Sequence, residues 1–392
     1  MLYCSKVQFF EGPISNPFFN EWLIGPFEPL ANRGVKMNRN LWQKLKCTQG
    51  ELQLKATLTG GQSFRWKIGS LPDDNFTDES YIGVMSNCVW QLRQMNDHLL
   101  YRVLGELKTD SPNYYHQIRM KIPIPVVKKK NVKNLFHSID YYESLLKAYF
   151  RLDTDLSECY AEWSSAHQHF KTESNKFYAI RQLNQDPVEN LFSFICSQNN
   201  HISRISSLVE KLCKNYGPKI CDLNGVAYHA FPNFDELTDP KVEQELRNES
   251  FGYRAKFIQR AAVEIKERGG LEWFQKVQDM SYKDAHAELM KLTGIGPKVA
   301  DCICLMSLNH LEAIPVDTHI LNIATEHYLP KGREIKSMTP KLYNEIGNAF
   351  REVYGPLSGW AQTILFCADL VKFKDNESKE NGCSTNKKRK KK

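Results

Sequence analysis

A lysine and an aspartate of complementary chemistry stand in two short strings late in the chain, Leu292-Thr-Gly-Ile-Gly-Pro-Lys298 and Pro315-Val-Asp317-Thr-His319. Pro297 pre-sets a first helical turn ahead of the apolar run that ends at Met306, which places Lys298 in that turn. The positive end of a helix dipole disfavours an ammonium there, and with desolvation it favours the neutral, nucleophilic amine. Asp317 precedes the amphipathic run Ile320–Tyr328, where an aspartate ordinarily serves as N-cap. Cleavage of a glycosidic bond asks for the same two groups. A carboxylate stabilises the oxocarbenium-like sugar, and an amine captures C1′ as a Schiff base.

Gly294 and Gly296 permit backbone conformations and close approaches that a Cβ would obstruct, so a helix N-terminus is exposed beside a bare turn. Its free N–H groups suit a DNA phosphate, although a plain helix–helix turn has the same composition. Lys298, Cys302 and Met306 recur every four residues on one stripe, and Gln362, Phe366 and Asp369 recur at four and three on another. By spacing alone such stripes are more often core than pocket.

Two kinds of element must position these residues. From Trp42 to about Leu107 the segments Leu52–Leu58, Ser63–Ile68, Tyr81–Met85, Cys88–Arg93 and His98–Val103 read as strands, with Gly60-Gly61 and Ser86-Asn87 as turns. Beyond Ile139 the chain reads as helices. Asp186-Pro187-Val188-Glu189 is a capping box with proline at the first helical position, Ser281-x-x-Asp284 opens a second helix, and Gly269-Gly270 ends another. The class is therefore α+β: an N-terminal antiparallel β-sheet domain over 37–184, an all-α helical domain over 185–374, an unassigned extension over 1–36 and a disordered basic tail over 375–392.

The formal charge is +7, but Lys387–Lys392 carries six of those charges and leaves +1 on the body, so a nucleic-acid partner has to be argued from placed residues. Eleven cysteines scattered through apolar runs suit reduced thiols. No apolar run approaches the length of a membrane span. The tail Asn386-Lys-Lys-Arg-Lys-Lys-Lys reads as a nuclear localisation signal, with a mitochondrial form left open. The phenylalanine-rich extension 1–36 suits neither a transit nor a signal peptide. The 105–134 segment, with Lys128-Lys129-Lys130, reads as a long connection whose lysines form a solvated face.

Gly294-x-Gly296-x-Lys298 followed by Pro315-Val-Asp317-x-His319 resembles the helix-hairpin-helix, Gly-Pro-Asp superfamily of base-excision glycosylases. A lysine at this position is similar to the bifunctional members that also nick abasic DNA. Some relatives carry a four-cysteine iron–sulfur loop near the C-terminus. Only Cys367 and Cys383 lie late here, so neither a cluster nor another cofactor or metal is expected. The strings Gly60-Gly-Gln-Ser-Phe-Arg-Trp66, Phe192-Ser-Phe-Ile-Cys-Ser-Gln-Asn-Asn200, Phe251-Gly-Tyr-Arg-Ala255, Lys298–Met306 and Gly359–Phe366 narrow the resemblance to eukaryotic 8-oxoguanine DNA glycosylases over roughly residues 42–372.

That resemblance implies Lys298 as nucleophile and Asp317 as catalytic carboxylate. It places Gly61, Phe64, Cys302, Met306, Pro315, Gln362 and Phe366 at the flipped base, with Cys302 and Phe366 as a sandwich. Gln362 would read the Watson–Crick edge, and the Gly61 carbonyl would accept the N7–H that guanine lacks. Asn199, Asn200, Arg204, Tyr253, Arg254, Gly294, Gly296, His319 and Asp369 would face DNA: Asn199, Arg204 and Arg254 at the orphan cytosine, Tyr253 as wedge, and His319, oriented by Asp369, at a phosphate. The implied partner is duplex DNA containing 8-oxoguanine, met by a monomer in the nucleus. A relative acting on alkylated bases or mismatched adenine typically lacks the lysine or carries the iron–sulfur loop. A noncatalytic DNA-binding module needs neither Lys298 nor Asp317.

Overall fold

The strand-like segments of the N-terminal half form one antiparallel sheet of five strands, ordered β1-β5-β4-β3-β2: β1 Gln43–Lys46, β2 Trp66–Ile68, β3 Tyr81–Met85, β4 Cys88–Gln94 and β5 His98–Glu106. The structure, a computed structural model, describes residues 41–71, 79–107, 139–331, 335 and 337–370. The extension 1–36, most of the 105–134 connection with its lysine run, and the basic tail lie outside the described residues. Ser86 and Asn87 both have positive φ, 52° and 60°, the two-residue geometry that joins twisted antiparallel strands, so Met85 pairs with Cys88.

One expected strand is a helix. In Leu52–Leu58 the alternation of Leu52 and Leu54 imitates a strand, but the buried Leu54, Thr57 and Leu58 have helical spacing and belong to α1, Leu54–Thr59. β1, which pairs with β5, was not anticipated. Nor was a hairpin within the helical half, β6 Lys219–Leu223 and β7 Val226–His229. Its Ile220, Cys221, Leu223 and Tyr228 pack on Ile82, Val84, Val89 and Leu104 of the sheet. Arg65, whose side chain is 2% exposed, ties the same two parts together: it donates to Glu210 at 3.1 Å and to the His229 carbonyl at 2.6 Å. A buried guanidinium is tolerated only with such partners.

The helices are α2 Ile139–Tyr149, α3 Leu156–Ala166, α4 Gln168–Ser174, α5 Pro187–Ser197, α6 Ile202–Tyr216, α7 Lys241–Asn248, α8 Arg254–Glu267, α9 Leu271–Gln278, α10 Tyr282–Leu289, α11 Pro297–Ser307, α12 Thr318–His327, α13 Pro340–Tyr354 and α14 over 358–370. Local signals account for several ends. Asp186 accepts the Val188 and Glu189 N–H groups to start α5, and Ser281 caps α10 through the Asp284 N–H. Positive φ at Gly269 and Gly270 turns the chain out of α8. One apolar core joins α5, α6, α8 and α11, and a second joins α3, α12, α13 and α14. The nine cysteines among the described residues are all free thiols. No helix among those residues is long and apolar enough to cross a membrane.

Candidate active site

α10 and α11 form a helical hairpin whose turn is fixed residue by residue. Gly294 has φ +85°, and a Cβ there would lie 2.5 Å from Cγ of Phe257. Its carbonyl accepts Nε2 of Gln198 at 2.7 Å, which fastens the turn to the end of α5. Glu264 accepts the Thr293 N–H at 2.7 Å on the other side. Gly296 differs: its φ is −95°, and a Cβ would meet no atom of the described residues within 4 Å. No side chain caps α11, so the first-turn N–H groups face an open surface beside Gly296.

That surface opens into a cleft of about 1160 Å³. Lys298, half-buried in the first turn of α11, and Asp317, at the head of α12, both line it. The Lys298 ammonium sits 4.9 Å from the ring centre of Phe194, which meets Phe64 edge to face at 5.6 Å. One turn along the same helix, burial pushes the Cys302 thiol up to about 11 against the pull of the Lys298 charge. Asp317 is the N-cap of α12 and accepts the Ile320 N–H at 3.0 Å. The cap geometry and the place in the cleft are thus compatible. Capping fixes the carboxylate in the wall.

The remaining expected residues divide. Gly61, Phe64 and Phe366 line the cleft, as do Asn199, Asn200, Gly296 and His319. His319 Nδ1 pairs with Asp369 at 2.6 Å and its ring stands edge-on to Phe366 at 5.6 Å. Gly61, at φ +84°, sits against Phe366, where an added Cβ would lie 3.4 Å from the ring. Cys302, Met306, Pro315 and Gln362 are buried and do not line the open cleft. Gln362 is 4% exposed and its amide makes no hydrogen bond among the described residues, so it is available to a ligand.

At the far rim Asn199 adopts φ +48° and donates to the hydroxyl of Tyr253 at 3.2 Å; the Tyr253 ring itself is exposed. Arg204 is exposed, and among the described residues its guanidinium hydrogen-bonds only the Ser250 carbonyl, at 3.4 Å. Arg254 is buried instead, bonding the carbonyls of Gln198, Asn199 and Phe251 and lying 4.7 Å over the Tyr253 ring. It holds the Asn199 turn in place. Phe194 and Gln198 are the functional residues that spacing had not singled out. They stand four apart on the face of α5 turned to Lys298 and Gly294, inside a string already noted.

Residues 44–191 match the family model described as 8-oxoguanine DNA glycosylase, N-terminal domain, and residues 192–349 match that of the HhH-GPD superfamily base excision DNA repair protein. The chain is 33% identical over 368 residues to N-glycosylase/DNA lyase OGG1 of Arabidopsis thaliana, covering 91% of this chain and 90% of that protein. It is 32% identical to the N-glycosylase/DNA lyase of Saccharomyces cerevisiae, over 83% of this chain and 86% of that protein. Among solved structures it resembles the Clostridium acetobutylicum 8-oxoguanine glycosylase/lyase in complex with double-stranded DNA containing cytosine opposite 8-oxoguanine, with TM-score 0.63, 26% identity, and coverage of 84% of this chain and 98% of that one. With two relatives matched above 30% identity along most of their length, the chain belongs to the 8-oxoguanine N-glycosylase/DNA lyase family of the helix-hairpin-helix, Gly-Pro-Asp superfamily.

Proposed function

We propose that this enzyme excises 8-oxoguanine opposite cytosine from duplex DNA and then cleaves the abasic strand, acting as a monomer in the nucleus. The observation that carries the mechanism is the placement of Lys298 and Asp317 in one cleft, each at the head of a helix, beside the uncapped N-terminus of α11. Free N–H groups there suit a backbone phosphate, while a flipped nucleotide enters the cleft. As the glycosidic bond breaks, the base leaves with its electron pair, and the Asp317 carboxylate stabilises the positive charge growing on the sugar. Lys298, having passed a proton from its ammonium to the departing base, bonds through the freed amine to C1′; loss of a second proton and opening of the sugar ring give the Schiff base. Removal of a C2′ proton then expels the 3′ phosphate by β-elimination, and water releases the lysine.

Base choice follows from hydrogen-bond polarity. In 8-oxoguanine N7 carries a proton; in guanine it carries a lone pair. A carbonyl at Gly61 would accept the first and oppose the second, and a buried mismatch of that kind costs about 1–3 kcal/mol. The free amide of Gln362 supports its reading as the group that meets the Watson–Crick edge. Borohydride added to the protein with a duplex containing 8-oxoguanine opposite cytosine tests the reading. A covalent protein–DNA adduct at Lys298 is expected, and its absence with released base would overturn the Schiff-base route.

A further inference from the structure

We infer that the extended segment Ile180–Gln185 is the frame that sets the spacing of the base pocket, through a buried relay from the Gly61 turn to the helix bearing Gln362 and Phe366. The inference rests on the reading of the pocket given above. Gln62, next to Gly61, donates from Nε2 to the Arg181 carbonyl at 2.9 Å, and its Oε1 accepts the Leu183 N–H at 2.9 Å and Nε2 of Gln182 at 3.0 Å. The Oε1 of Gln182 in turn accepts the hydroxyl of Thr363 at 2.8 Å, one residue from Gln362 on α14. Nε2 of Gln185 donates to the Gln62 carbonyl at 2.8 Å, and its backbone N–H donates to the Met306 carbonyl at 2.7 Å, at the end of the helix that bears Lys298 and Cys302. Three walls of the pocket thus hang from six consecutive residues.

The orientation of both glutamine amides in the relay is forced. Flipping the Gln182 amide would set its Oε1 against Oε1 of Gln62. Flipping Gln62 as well would set its amine against the Leu183 N–H and its oxygen against the Arg181 carbonyl. Two backbone groups therefore orient both glutamines and leave Gln182 Oε1 as an acceptor, so the Thr363 hydroxyl proton is shared between that oxygen and the Gly359 carbonyl, at 2.9 Å one turn back in α14. Gln62, Gln182, Gln185 and Thr363 are 2%, 0%, 6% and 3% exposed, so no water replaces a lost partner readily. A second, separate contact fixes the same distance. The Cys367 thiol donates to the Gly60 carbonyl at 3.8 Å, and a Cβ on Gly60 would lie 2.6 Å from that sulfur. A reader of N7 and a reader of the Watson–Crick edge work only at a fixed separation, and a misplacement near 1 Å costs roughly 10²-fold in rate.

The test compares single-turnover base release from 8-oxoguanine opposite cytosine with strand cleavage at a preformed abasic site, for wild type, Thr363→Val and Thr363→Ser. Valine keeps the shape and removes the donor; serine keeps the donor. Thr363→Val should lower base release roughly 10- to 10²-fold and abasic cleavage no more than about twofold, with Thr363→Ser restoring the wild-type ratio. Equal falls on the two substrates, or equal behaviour of valine and serine, would overturn the frame. Should Thr363→Val not fold, Cys367→Ala is expected to shift the same ratio in the same direction, and an unchanged ratio there would overturn it too. A wild-type protein that cuts the abasic duplex but releases no 8-oxoguanine would instead overturn the substrate reading, whatever the variants do.

Discussion

Asp317 Oδ1 accepts the Ile320 N–H at 3.0 Å, while its second oxygen has no hydrogen-bond partner among the described residues. One oxygen holds the helix and the other is free for charge developing in the cleft. Asparagine caps about as well as aspartate, so Asp317→Asn should fold with stability within about 0.5 kcal/mol of wild type. Base excision should fall roughly 10²- to 10³-fold, because an amide does not stabilise an oxocarbenium as a carboxylate does. Single-turnover release on the lesion duplex together with a thermal melt separates the two jobs. Unchanged release in the folded variant would reduce Asp317 to a cap.

Lys298→Gln removes the amine and keeps a side chain of comparable length beside Phe194. Base release and borohydride trapping should both fall below detection. Binding to the lesion duplex should stay within about tenfold, since phosphate and base-edge contacts do not need the amine. Trapping that survives in this variant would place the nucleophile elsewhere.

Gly294 and Gly296 should separate in mutation. Gly294→Ala forces a Cβ onto Phe257 at positive φ, so it should lower the melting temperature. Gly296→Ala meets no atom of the described residues and keeps an ordinary extended φ of −95°. Its melting temperature should be unchanged while its affinity for nonspecific duplex drops, because only an approaching DNA backbone needs that space. Filter binding at fixed salt decides it, and equal affinity to wild type would show that phosphate does not come close at Gly296.

His167 gives the pH dependence a sign. Its Nδ1 accepts the His169 N–H at 3.3 Å as the N-cap of α4, and its ring stacks on Tyr328 at 4.3 Å. Burial holds it below the ordinary histidine range; a hydrogen bond with the His327 backbone opposes that shift and the His327 charge reinforces it. The unfolded chain therefore takes the proton first. Stability from neutral His167 is complete above about pH 6.5 and is lost as pH falls through the lower folded value. His167→Asn keeps a cap and removes the titration, so its melting temperature should fall less than that of wild type between about pH 7.5 and about pH 5. Parallel curves would assign the acid sensitivity to other groups.

Much of this could be read from the chain because the signals were local. Asp186-Pro187, Ser281-x-x-Asp284 and Gly269-Gly270 act within a few residues of themselves, and the helix ends fall where they point. Leu52–Leu58 misled because six residues fit either period, and burial against the rest of the fold decided for the helix. The β6–β7 hairpin was legible and overlooked: Asn224-Gly225, with φ of 50° and 80°, is a strong hairpin turn signal. The frame at Ile180–Gln185 was not legible. Its partners lie more than a hundred residues away on both sides, and nothing in Arg-Gln-Leu-Asn-Gln marks them. Arg254 shows the same limit, since nothing near it in the chain marks its burial or its bonds to the Gln198 and Asn199 carbonyls.

That difference makes Arg204 the cleaner probe of the base opposite the lesion. Removing Arg254 takes the guanidinium from the carbonyls of Gln198 and Asn199 and leaves Gln198 only the Tyr253 hydroxyl at 3.3 Å, so any loss would mix recognition with loosening of the turn. Arg204 is exposed and, among the described residues, its guanidinium bonds only the Ser250 carbonyl, weakly, so alanine there leaves the scaffold intact. Cytosine offers acceptors at N3 and O2 to a guanidinium, whereas adenine presents a different edge. A good contact of this kind discriminates by about 1–3 kcal/mol. Arg204→Ala should therefore lower excision opposite cytosine far more than opposite adenine and narrow the gap between the two duplexes. Excision opposite a misincorporated adenine would fix a mutation, so a repair enzyme gains from that gap. Single-turnover rates on both duplexes measure it, and an equal fall on each would show that Arg204 grips the backbone and reads no base.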